Sequence, residues 1–136
     1  MEESGGLVGS VLSFWTYFGL GLGMTAVFMW LYVRATPYDE VALIKQNNLG
    51  AAIAYTGALI GFVMPLQTAL QHSVTLAEYL LWGLIAGFTQ LGVFFVYRQF
   101  YPRFRERLEG GELASPVQLA GVSVAVGLLN AASIVE

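Results

Sequence analysis

Four stretches of this chain run for 20 or more residues almost without charge, and they decide most of what it can fold into: Val8–Val33, Leu49–Gln71, Thr75–Tyr97 and Ser115–Val135. A helix that crosses the hydrocarbon core needs about 20 mostly apolar residues. Glu78, at the lip of the third stretch, is the sole charged residue within them. Backbone groups in hydrocarbon are satisfied only in helices and closed barrels. Barrel strands alternate over segments of about 10 residues, and these runs are continuous. The expected fold is therefore all-α and integral to the membrane: four transmembrane helices in a single domain spanning residues 1–136. Charged residues make up 11% of the chain, against about 25% in a soluble domain, too few to cover a water-soluble globule.

The Lys and Arg residues set the orientation. Arg34 and Lys45 follow the first stretch; Arg98, Arg103, Arg105 and Arg107 follow the third; there are no others. The positive-inside rule puts both basic loops in the cytoplasm, and an even number of spans then puts both termini outside. Trp15, Tyr17, Tyr79 and Trp82 are expected near the outer interface, and Trp30, Tyr32, Tyr97 and Tyr101 near the inner one. Met1–Leu7 carries Glu2 and Glu3 and no basic residue, unlike the start of a cleavable signal.

Sliding the chain on itself by 64 positions brings Gly19 onto Gly83, Gly23 onto Gly87, Arg34 onto Arg98, Leu49 onto Leu113 and Gly57 onto Gly121. This suggests two tandem helical hairpins, about residues 8–71 and 75–135, with the same orientation: a parallel repeat about an axis along the membrane normal. The pairs Gly19/Gly23, Gly57/Gly61 and Gly83/Gly87 are each four apart, and Gly121 repeats the spacing with Ala125. Lipid gives helices no hydrophobic reason to associate, so such small faces let backbones approach. Packing within the chain and self-association both use them.

The polar residues leave two readings open. Thr36-Pro37-Tyr38-Asp39-Glu40 has Thr36 as a helix cap and Pro37 in the first position, giving a short helix over Tyr38–Gln46 that Asn47 and Asn48 interrupt. In the second loop, Phe100, Phe104 and Leu108 fall at i, i+4 and i+8 among Arg103, Arg105 and Arg107. That is a short amphipathic helix suited to the headgroup layer. Lys45, Asn47, Asn48, Arg98, Arg103, Arg105 and Arg107 are the candidate contacts to a partner or lipid; setting topology is their simpler role. Gln90 and Asn130 are amides inside the bilayer, for hydrogen bonds between helices or for a polar path. The spans hold no acidic or basic residue near mid-membrane, which argues against a carboxylate proton relay or a voltage sensor.

Enzymatic chemistry has little to work with. The chain has no cysteine and one histidine, His72, so thiolate sites and multi-histidine metal sites are excluded. No nucleophile–base constellation or phosphate-binding glycine loop is visible. A non-enzyme without cofactor and without a nucleic-acid partner is expected.

The run from Glu40 to Leu66, with Leu43, Ile44, Lys45, Asn47, Asn48, Ala51, Ala52, Gly57, Gly61 and Pro65, closely resembles the YjfL-type inner-membrane family (DUF350, UPF0719). Tyr79, Trp82, Gly83, Gln90, Leu91, Phe94, Arg98 and Pro102, and later Gly127, Asn130, Ala131 and Ala132, extend the resemblance over almost the whole chain. It implies a bacterial inner-membrane protein and brings no established activity; relatives look associated with envelope-stress proteins of the phage-shock type and with ATP-grasp ligases. One departure stands out. The family's second hairpin tends to open with an Asn–small–Ala–Ala sequence, and here it reads Glu112-Leu113-Ala114-Ser115-Pro116. Two functional expectations follow: a membrane scaffold that docks a cytosolic partner through Thr36–Asn48 and Tyr97–Leu113, or an oligomeric channel or small-solute transporter. A homo-oligomer is expected; a ring-sized one would favour the channel, and a monomer or dimer the scaffold.

Overall fold

A computed structural model describes residues 2–134. It contains six helices: α1 (Glu2–Ala35), α2 (Glu40–Lys45), α3 (Leu49–His72), α4 (Leu76–Phe100), α5 (Phe104–Glu109) and α6 (Ala114–Ser133). No strand occurs among the described residues. The four long helices are long and apolar enough to cross a membrane, and their bounds lie within a few residues of the expected spans except at the start of α1. Val135, the expected last residue of the fourth span, lies outside the described residues.

Local chemistry explains where these helices begin. Asn48 caps α3, its side chain accepting from Ala51 N at 2.9 Å. Thr75 caps α4, accepting from Glu78 N at 3.2 Å, while the Glu78 carboxylate accepts from Val74 N at 3.0 Å. That reciprocal pair closes the tight α3–α4 turn in the manner of a capping box.

The first hairpin's return helix, α3, is the centre of the bundle. It lies parallel to α6 and antiparallel to α4. A Cβ on Gly57 would fall 2.5 Å from Ala120 Cα, and one on Gly61 would meet Ser123 O and lie 2.7 Å from Gln90 Nε2. Gly127 abuts Gly61, where a Cβ would stand 2.7 Å from Gly61 Cα. Gly50 meets Pro116 and Leu108 further along. Pro65 cannot donate to Gly61 O, and this carbonyl is the atom Gly127 packs against. The two helices thus touch backbone to backbone through matching small faces: Gly50, Ala54, Gly57 and Gly61 on α3, and Pro116, Ala120, Ser123 and Gly127 on α6.

Three glycines of the expected packing set sit elsewhere. Gly121 is exposed, and nothing lies within 4 Å of a Cβ at Gly121, Gly19 or Gly23. In α6 the contact face is set two residues away from the one the 64-residue shift implies. The offset is already present at the start of the helix: α6 has no side-chain cap, begins at Ala114, and seats Pro116 on Gly50.

The first helix is peripheral. Its second half packs parallel to α4, with Met24 on Gly83, Phe28 near Gly87 and Tyr32 on Phe94. Phe28 also stacks on Phe62 of α3 with ring centroids 4.4 Å apart. Its first half leaves Leu7, Val11, Leu12, Phe14, Trp15 and Phe18 exposed. Trp15 and Trp30 are exposed, whereas Tyr32, Tyr79 and Tyr97 turn inward and are buried. Tyr79 lays its hydroxyl over Gly21, where α1 carries no side chain to resist it.

Candidate functional site at the basic end of the bundle

All six Lys and Arg residues belong to the end where α1 and α4 finish and α3 and α6 begin. Two short helices close that end, and both stop in the same way. Asn47 has a φ of 67° and donates to Ile44 O, while Asn48 N–H donates to Leu43 O. Gly111 has a φ of 88° and donates to Leu108 O, while Glu112 N–H donates to Arg107 O. These are paired Schellman ends, with Asn and Gly as the residues that tolerate left-handed backbone. The Asn47-Asn48 dipeptide therefore ends α2 with its first residue and caps α3 with its second.

Asn48 also joins the two loops. Its Nδ2 donates to Leu108 O at 3.0 Å, across 60 residues of chain. Expected as a partner or lipid contact, Asn48 instead commits both ends of its amide inside the protein. The amphipathic helix of the second loop also differs from expectation. Phe104 and Leu108 are buried against the bundle, so α5 covers protein with its apolar face and does not lay it in headgroups; Phe100 alone of that stripe is exposed. The expected helix start moves too: Asp39, not Thr36, caps α2 by accepting from Ala42 N at 3.1 Å.

What the two loops present outward is polar. Lys45, Asn47, Arg98, Arg103, Arg105 and Arg107 are all exposed. Arg105 pairs with Glu109 at 3.4 Å and Arg107 with Glu112 at 3.7 Å, both at the surface where such pairs contribute little. Arg34 lies over the Trp30 ring at 4.4 Å.

Beneath this surface is a buried acid that sequence reasoning passed over. Glu40, the first residue of α2, is fully buried. Its Oε1 lies 2.6 Å from Thr36 Oγ1, and its Oε2 has no partner. The hydroxyls of Tyr32 and Tyr38, also buried, have none either. Phe94 and Phe104 wall the cluster, each within 6.4 Å of the Tyr38 ring centroid. No salt bridge reaches Glu40 among the described residues. Burial pushes its carboxyl up to about 7, opposed by the Thr36 contact and reinforced by nearby Asp39. Burial likewise pushes the Tyr38 phenol well above its usual range. The signal was present in the sequence: Glu40, Leu43 and Ile44 share one face of α2, while Asp39 takes the exposed cap.

The intramembrane amides stay apart. Gln90 is buried and donates from Nε2 to Ser123 O at 3.0 Å, beside Gly61 at the tightest point of the bundle; its Oε1 is unpartnered. Asn130 is half-buried with Nδ2 unpartnered, and no hydrogen bond joins it to Gln90. A groove of about 550 Å³ runs between α1 and α4, floored by Phe28 and Phe62, and its lining is apolar. Gly19, Gly23, Gly83 and Gly87 shape its walls.

Comparison with known proteins agrees with this architecture. The model of the Domain of Unknown Function family DUF350 matches residues 6–134. The chain belongs to the DUF350 family. It is 36% identical over 126 residues to the UPF0719 inner membrane protein YjfL of Escherichia coli K12, covering 93% of this chain and 96% of that one. The YjfL of Escherichia coli O157:H7 matches to the same extent. No solved structure matches significantly. This DUF350 protein is accordingly a multi-pass inner-membrane protein.

Proposed function

We propose that this DUF350 protein is a non-enzymatic inner-membrane scaffold that presents its α2–α5 surface to a cytosolic partner. The observation that carries the reading is the Asn48–Leu108 tie, which holds two loops from distant parts of the chain as one ordered platform. Tyr38, Phe104 and Leu108 point into the bundle, and Lys45, Asn47, Arg98, Arg103, Arg105 and Arg107 point away from it. Basic loops of this kind belong in the cytoplasm, with both termini outside. The partner class suggested by the family resemblance is a cytosolic envelope-stress protein, and the scaffold works as a homo-oligomer. The matching Schellman ends at Asn47-Asn48 and Gly111-Glu112, 64 residues apart, support a tandem duplication of the hairpin.

Orientation is tested first. The chain has no cysteine, so single cysteines at Arg105 and Val74 report without background. Membrane-impermeant labelling of intact cells reaches Val74→Cys only; labelling at Arg105→Cys from outside overturns the orientation. Crosslinked pull-downs then compare the wild type with Lys45→Ala and with an Arg103→Ala/Arg105→Ala/Arg107→Ala variant. Partners that disappear in either variant support docking at the loops. A set of partners unchanged in both overturns it.

A second reading, an oligomeric channel or small transporter, has one observation in its favour: Gln90 Oε1 and Asn130 Nδ2 are buried polar atoms without partners. Solute flux in liposomes that changes on Asn130→Leu supports this reading, and tight liposomes at high protein density reject it.

A further inference from the structure

The junction of α1 and α2 holds one hydroxyl hydrogen too few. Residue 37 is proline and has no amide hydrogen, so Val33 O cannot receive the helical bond from four residues on. The donor given to Val33 O is the Thr36 hydroxyl, at 2.9 Å. The same Thr36 oxygen stands 2.6 Å from Glu40 Oε1 and 3.4 Å from Tyr38 O. A threonine hydroxyl carries a single hydrogen. If it serves Val33 O, the short contact to Glu40 requires a hydrogen from the carboxyl itself. If it serves Glu40, a carbonyl at the end of α1 loses its donor.

The surroundings decide between these states. A buried carboxylate is tolerated when paired or richly hydrogen-bonded. Among the described residues no salt bridge reaches Glu40, and its Oε2 is bare. The groups acting on it are of the wrong sign or neutral. Asp39 lies beside it in sequence, Tyr32 faces it from α1, and Tyr38 from the connecting segment. The α4 and α5 residues against Tyr38 are Phe94 and Phe104. Tyr55 is the only titratable residue in the first two turns of α3. Arg98, Arg103, Arg105 and Arg107, with Glu106 and Glu109, are all exposed on the outside of those elements.

We propose that Glu40 is a proton-binding site: its carboxyl is held protonated in the bundle, donating to Thr36 Oγ1 while Thr36 donates to Val33 O. Release of the proton reverses the first bond. The Thr36 hydroxyl then turns to the carboxylate, Val33 O is stripped of its donor, and a charge appears among Tyr32, Tyr38, Phe94 and Phe104. The ligand is the proton itself, and occupancy is linked to how α2 seats on α1. This inference is independent of any partner. The raised affinity of the buried carboxyl for its proton, up to about 7, places release in the neutral range.

The test is infrared spectroscopy of the full chain in nanodiscs, titrated from about pH 5 to about pH 9, through the range where only a raised carboxyl still holds its proton. The expected result is one protonated-carboxyl stretch that persists at near-neutral pH, shifts in heavy water, and fades as the pH rises. It disappears in Glu40→Gln. Should that variant fail to fold, Glu40→Asp, which keeps the group and shortens its reach, moves the frequency or midpoint of the band. Two results overturn the proposal: a wild type whose carboxyls are all ionised by about pH 6, well above the ordinary range, or a neutral-range band unaltered by substitution at Glu40.

Discussion

Because Pro37 brings no amide hydrogen, the end of α1 depends on side chains, and that dependence makes Glu40 a determinant of stability. Its carboxyl value is raised from 4.5 unfolded to about 7 folded. Between those values the folded chain keeps a proton that the unfolded chain has lost. Stability from this group is therefore complete below about pH 4.5 and is lost as pH rises through about 7. The effect is on the order of 3 kcal/mol at most. Detergent-solubilised wild type should melt at a higher temperature at pH 5 than at pH 8, and Glu40→Gln should flatten that difference. A slope of the opposite sign would disprove the assignment. The chain carries one sign of this, the sharing of one face of α2 by Glu40, Leu43 and Ile44; otherwise Glu40 reads as one more acid in a polar loop. Burial is a property of what folds over a residue, and here Thr36, Tyr32 and Tyr38 gather around the carboxyl while Phe94 and Phe104 close over Tyr38.

Helices were the legible level, and their faces less so. The spans stand out because a membrane demands long uncharged runs, which needs no tertiary information. Which side of α6 meets α3 was not visible, because the chain offers two small-residue stripes and the choice depends on how Pro116 seats on Gly50. Alanine substitutions separate them. Gly57→Ala, Gly61→Ala and Gly127→Ala drive a methyl into backbone and should each cost about 1 to 3 kcal/mol. Gly121→Ala meets nothing and should be neutral or stabilising by up to about 1 kcal/mol, as alanine is the better helix former. Reversible unfolding in mixed micelles measures both; equal losses at Gly121 and Gly61 would contradict the packing. The fate of α5 was similarly ambiguous, since a stripe of Phe and Leu fits headgroups and protein alike. At Asn48 the two roles can be divided. Asn48→Ala removes the cap and the tie to Leu108, for a loss of about 2 kcal/mol. Asn48→Asp keeps the cap acceptor and loses the tie, so its unfolding free energy should fall between alanine and wild type.

Stability is distributed unevenly over the whole molecule. The α3–α4–α6 core is tightly interlocked, whereas α1 touches it only from Tyr17 onward. Phe28→Ala, which empties a stacked position against Phe62, should cost about 3 kcal/mol. Leu12→Ala, on the uncovered half, should change unfolding by less than about 0.5 kcal/mol in detergent. A large loss at Leu12 in the membrane but not in detergent would indicate that a second subunit covers this half.

The partnership of α3 with α6 also sets an order of assembly. The small face of α3 leaves the ribosome some 60 residues before the helix that fills it, since Gly57 meets Ala120 and Gly61 meets Ser123. Until α6 is inserted, the first hairpin carries an open seam of glycines and alanines facing lipid. The spans made before α6 are thus an unfinished intermediate in the bilayer, and α6 completes the centre of the protein. A chain stopped before Ala114 should reach the membrane and then be cleared by quality-control proteolysis, and co-expression of α6 as a separate peptide should rescue it.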